Sequence, residues 1–189
     1  MPLTPPGLSG AIMGGLSSAS FTGTNLMDLA RGIASGICNW ISAMVVTTTD
    51  VGAPGVGTGV MPLIVPAPSI QAQVLSGLSS QSFKGTSLSS LSQGLGTGLN
   101  IGLMMGIIQT THPSVGVGTA TPKFTAPPLG PLIMAGLLGA GVKGTEMSKL
   151  ANGIGSGVEN VFSSLVLQVP IVGSIAPISG PMTGVGFIM

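Results

Sequence analysis

Few residues in this 189-residue chain could act as acid, base, nucleophile or metal ligand: four carboxylates, one histidine and one cysteine. His112 follows Thr110-Thr111 and has no carboxylate or thiol near it in sequence. A catalytic or metal-binding histidine needs such partners, so His112 is expected to be a solvated loop or interface residue. Cys38 is alone, which excludes an intrachain disulfide and a cysteine metal cage; a small packing residue is expected there. Asp28 and Arg31, like Glu146 and Lys149, stand three apart and would form surface pairs on helices, worth about 0.2–0.5 kcal/mol each. Ser87, Ser89, Ser90 and Ser92 offer hydroxyls without a neighbouring base. Gly55-Val56-Gly57-Thr58-Gly59 and Gly94-Leu95-Gly96-Thr97-Gly98 have the look of phosphate loops, but neither carries the lysine of a Walker loop. Neither fits the strand–glycine turn–helix order of a dinucleotide site. The chain is therefore expected to be no enzyme and to hold no metal or cofactor.

What remains is architecture. Only 5% of residues are charged, against about 25% in ordinary globular chains. Glycine (32) and proline (15) are abundant, yet 44% of residues are hydrophobic, and mean hydropathy is +0.69. Disorder requires low hydrophobicity, so this composition points to a packed chain whose surface is covered by other protein or lipid. A formal charge of +1 with scattered cations (Arg31, Lys84, Lys123, Lys143, Lys149) gives no electrostatic case for nucleic-acid contact. The start, MPLTPPG, lacks the basic and apolar regions of a signal peptide and reads as an extended Pro-rich segment. The longest apolar stretches, Ile33–Val46 and Leu129–Val142, are about 14 residues, a length that suits a buried helix better than a membrane span.

One stretch occurs three times: Gly15–Gly36, Gly77–Gly98 and Gly136–Gly157. Gly23, Gly85 and Gly144 align, 62 and then 59 residues apart. Each copy reads as a helix–turn–helix. The first helices span about 8–19, 70–80 and 132–140. The turns are Phe21-Thr22-Gly23, Phe83-Lys84-Gly85 and Val142-Lys143-Gly144. Thr24, Thr86 and Thr145 are expected to cap the second helices, a hydroxyl accepting from free N–H groups of the first turn. Those helices carry apolar residues three or four apart: Leu26, Leu29, Ile33, Ile37, Trp40 and Met44 in the first; Leu88, Leu91, Leu95 and Leu99 in the second. The third has Met147, Leu150, Ile154, Val158 or Val161, Phe162 and Leu165.

Each second helix also keeps a pair of glycines four apart: Gly32 and Gly36, Gly94 and Gly98, Gly153 and Gly157. A helix-interior glycine costs about 0.8–1 kcal/mol relative to alanine. Close approach of another helix is the gain expected in return. Long Thr/Val/Gly/Pro segments follow, containing Gly55-Val56-Gly57, Gly116-Val117-Gly118 and Gly184-Val185-Gly186. These are expected to be extended arms that form short strands or polyproline segments. The fold class is thus mainly α, three tandem helical hairpins with extended arms, with units at 1–68, 69–128 and 129–189.

Leu29-Ala30-Arg31-Gly32-Ile33-Ala34-Ser35-Gly36, Leu150 to Gly157 and the three Gly-Val-Gly arms together resemble the virion structural proteins of tailed bacteriophages. That resemblance implies a non-enzymatic structural component of a tail, baseplate, neck or capsid, located in the virion. Its partners would be other virion or assembly proteins, including copies of itself, met through glycine-lined helix faces and arms. The alternative is a membrane-active hairpin protein, a pore or a rotor-ring-like subunit. Against it, the copies share no mid-helix carboxylate, Asp28 and Glu159 falling at unrelated positions, and basic flanks are absent.

Overall fold

A computed structural model describes residues 4–42, 45–52, 55–60, 67–112, 118–120, 123–125, 127–164, 169–172 and 181–187. The chain is mainly helical. Among the described residues, six helices run Pro5–Ser18 (α1), Leu26–Ser42 (α2), Ala67–Ser80 (α3), Ser87–Met104 (α4), Leu129–Gly139 (α5) and Met147–Ser164 (α6).

The start of α1 corrects the sequence reading, which left 1–7 extended and began the helix near Leu8. Thr4 is extended (φ −119°, ψ 144°) and its Oγ1 accepts from the Gly7 N–H at 3.4 Å. Pro5 and Pro6 take the first helical positions, where a missing N–H costs nothing and the fixed φ already suits a helix. The ends of α1, α3 and α5 share one device. The amides of Phe21, Phe83 and Val142 reach back to the carbonyls of Leu16, Leu78 and Leu137 at 2.9, 3.3 and 3.0 Å. Such a closure needs a left-handed residue just before it. Ser20 (φ 57°), Ser82 (φ 65°) and Gly141 (φ 74°) fill that place.

The expected threonine caps are also corrected. Thr86 is the N-cap of α4, but its backbone is already helical and its side chain makes no capping bond. Instead the Gly85 carbonyl accepts from Leu88 at 3.2 Å, and the Gly23 and Gly144 carbonyls accept from Leu26 and Met147 at 3.4 Å. In α2 and α6 the helix begins at Leu26 and Met147. Thr24 and Thr145 therefore lie in the turn, one residue before the cap position.

Every helix packs on two others. α1 lies against α2, α3 against α4, and α5 against α6. The pairs are joined by α2 on α3, α4 on α5 and α6 on α1. The last contact unites the two ends of the helical sequence, so the six helices form a closed ring. Its interior is one apolar core. Leu8, Ile70 and Leu129 are fully buried, as are Ile12, Val74 and Ile133, and Leu16, Leu78 and Leu137. The second helices contribute Ile33, Leu95 and Ile154, then Ile37, Leu99 and Val158, then Ile41, Leu103 and Phe162. Each set occupies matching positions in the three sequence copies.

Strands run Val45–Gly52 (β1), Gly55–Val60 (β2), Ile107–His112 (β3), Gly118–Ala120 (β4), Lys123–Thr125 (β5), Val169–Val172 (β6) and Pro181–Phe187 (β7). Among the described residues the strands pair antiparallel, in the order β4-β6-β7-β1-β2-β3-β5. The ends of that order, β4 and β5, are two residues apart in sequence, and β3 lies beside both. Met44, Gly116, Val117 and Leu165, named from the sequence, lie outside the described residues.

Candidate functional site

The six glycines singled out in the sequence stand at the three places where one helical pair meets the next. A methyl group at Gly32 would come within 2.9 Å of the Leu78 Cα, and one at Gly36 within 2.5 Å of the Val74 Cα. On α4, Gly94 faces the Leu137 Cα at 2.6 Å and Gly98 the Leu132 carbonyl oxygen at 2.6 Å. On α6, Gly153 faces the Leu16 Cα at 2.6 Å and Gly157 the Ala11 carbonyl oxygen at 2.7 Å. These obstacles are backbone atoms, so no side-chain rotation relieves them.

A third glycine completes each seam from the facing helix. Methyl groups at Gly15, Gly77 and Gly136 would overlap the carbonyl oxygens of Gly153, Gly32 and Gly94. Each would also stand 2.9 Å from the next glycine amide, at Gly157, Gly36 and Gly98 respectively. The sequence reading overlooked these three as packing residues. The signal was present, since glycine recurs there in all three copies; only the identity of the facing helix was hidden. The glycine faces are thus occupied inside the chain, and a protein partner has to use other surfaces.

The residues with chemical capacity are dispersed. Arg31 reaches Asp28 at 3.8 Å and Lys149 reaches Glu146 at 2.6 Å, both pairs about half exposed. Exposed pairs of this kind contribute little. Cys38 is buried on α2, and loss of solvation pushes its thiol up to about 11. A neutral, enclosed thiol is a poor nucleophile. At the matching position of α6, Glu159 accepts from the Leu129 N–H and so caps α5, whose N-cap Pro128 offers no side-chain bond. Asn100 holds that position on α4; its Oδ1 is buried without a partner, as is the Trp40 Nε1–H of α2. α3 begins three residues before the point matching the start of α5. Ile70 is therefore already its fourth residue, where the amide starts to find a carbonyl within the helix.

His112 ends β3 opposite Gly55, and Asp50 lies in β1 opposite Gly57 and Met182. Among the described residues no three histidine, cysteine, aspartate or glutamate side chains gather. An open groove of about 550 Å³ beside α1 and α2, lined by Pro5, Ser9, Met27, Arg31 and Gln81 among others, holds one charged residue, and Arg31 is already paired.

The chain matches no protein-family model, no curated protein and no solved structure. The reading of its function therefore rests on this geometry. The arrangement binds backbone to backbone at three equivalent seams, and it sets two ion pairs on the surface, one carboxylate at a helix start and one thiol in the core.

Proposed function

We propose that the chain is a non-enzymatic structural component of a large protein assembly, with a tailed-phage particle as the setting its sequence resembles. In this reading it consists of three hairpin-plus-arm units, 1–68, 69–128 and 129–189, set around an approximate threefold axis. The carrying observation is the repetition of one seam: three glycines against backbone, three times, the third closing α6 onto α1. A single chain of this kind supplies a threefold element without needing three subunits to find one another. Its partners are other particle proteins or further copies of itself. The scarcity of charge suits surfaces covered by neighbours.

The membrane reading draws less support, because no helix among the described residues is long and apolar enough to cross a membrane. Fractionation of the native source without detergent tests the proposal. The chain should travel with megadalton particles and stay with them in high salt, since apolar contacts are not screened. Recovery only from membranes, and only with detergent, would replace the proposal with the pore reading.

A further inference from the structure

The three sequence copies serve as an internal comparison. Over the aligned 22 residues, seven positions are identical in all three: Gly15, Leu16, Gly23, Thr24, Leu29, Gly32 and Gly36, with their counterparts. Five of these are explained by packing. The glycines at 15, 32 and 36 form the seams, Leu16 is fully buried, and Leu29 lies against the core. The other two, Gly23-Thr24, Gly85-Thr86 and Gly144-Thr145, are exposed in every copy.

The fold does not account for them. A methyl group at Gly23, Gly85 or Gly144 would meet nothing within 4 Å, and only Gly85 has a backbone that favours glycine (φ +133°). The carbonyls that start the second helices could come from any residue. Thr86 makes no capping bond. Other exposed positions drift freely: Met27, Ser89 and Ser148 correspond, as do Arg31, Gln93 and Asn152. Two of the three turns place a lysine before the glycine, Lys84 and Lys143, and neither belongs to the ion pairs formed by Arg31 and Lys149.

We infer that the turn end of the ring, Thr22–Thr24, Lys84–Thr86 and Lys143–Thr145, docks a homotrimeric protein placed on the same axis. A partner that uses one set of residues against three like apices must present that set three times. Small Gly-Thr apices let its backbone approach closely, and Lys84 and Lys143 favour carboxylates on its contacting face. This inference rests on the assembly reading and names the surface through which assembly occurs.

The test places a photo-crosslinking amino acid at Thr22, Lys84 or Lys143, one at a time, in the full chain produced in its native source. Particle association is measured in the same samples. All three apices should yield an adduct with one and the same polypeptide, while the same probe at Ser35 on the outer wall of α2 yields none of it. Lys84→Glu combined with Lys143→Glu, both exposed changes, should abolish the adduct from Thr22. Adducts with three different polypeptides, with another copy of this chain, or with nothing would overturn the inference. If the chain still travels with particles in those cases, the docking surface alone falls. If the chain joins no particle, the assembly reading falls and takes the surface with it.

Discussion

The seams that join α2 to α3, α4 to α5 and α6 to α1 carry the same three glycines each, whereas the contacts inside the helical pairs differ from one pair to the next. Between α3 and α4, a methyl group at Gly96 would stand 2.9 Å from the Gln71 amide; between α5 and α6, one at Gly155 would stand 2.5 Å from the Gly130 amide. The matching positions of α1 and α2 are Ser9 and Ala34, both buried. Helices within a pair are already held by a short turn, so their surfaces can vary. α2 and α3 are separated by a long arm, and α1 and α6 lie near opposite ends of the sequence. Their geometry has to be written into the contact itself. Closing a ring also requires the three joints to agree, which explains the uniformity.

The largest effect that would break this comparison is Gly153→Leu. It drives a side chain into the Leu16 backbone, where overpacking costs about 3 kcal/mol or more. Denaturant unfolding should show a collapsed midpoint; a near-normal midpoint would mean that the α6–α1 seam is not closed. Next come the paired substitutions Gly36→Ala and Gly96→Ala. The seam change should cost about 1–3 kcal/mol. The change inside a pair, where the first copy already has alanine at position 34, should cost less than about 1 kcal/mol, part of it returned by helix propensity. Equal costs would erase the distinction between the two kinds of contact.

How far the sequence led depends on whether a feature is local. The three copies, their glycine register and the apolar faces were legible because they repeat. The facing helix at each seam was not, since a glycine pair marks a groove without saying what fills it. Gly15 and Gly153 meet across almost the whole helical sequence. Pro5 and Pro6 misled because a Pro-rich start reads as extended until Thr4 is seen to cap it. Glu159 could not be read as a cap, because the amide it serves is 30 residues away. Thr86 was overvalued because a cap needs extended backbone as well as a hydroxyl.

Two smaller effects sharpen the same comparison. Cys38, Asn100 and Glu159 share one position with three chemistries, as expected of the variable contacts. Burial raises the Cys38 thiol from 9.0 to about 11. Between those values the folded chain keeps a proton that the unfolded chain releases, so stability falls as pH rises through that window. The loss should reach roughly 1 kcal/mol near pH 10, and Cys38→Ala should remove that slope in melting curves; an unchanged slope would place the thiol in water. Ser20→Gly relieves a left-handed serine and should add about 0.5–1 kcal/mol. The same change at Ser82 should match it in denaturant titrations, since the two serines close matching helices.

The closed ring is tested most directly by the unfolding free energies of Gly15→Ala, Gly77→Ala and Gly136→Ala, measured beside Gly14→Ala. Gly14 neighbours Gly15 on α1, but a methyl group there would meet nothing within 4 Å. The account predicts three losses equal to within about 0.5 kcal/mol, and a gain of about 0.5–1 kcal/mol for Gly14→Ala. If Gly15→Ala instead behaved like Gly14→Ala while Gly77→Ala and Gly136→Ala remained costly, the helices would form an open row, and the threefold element would be lost with the ring.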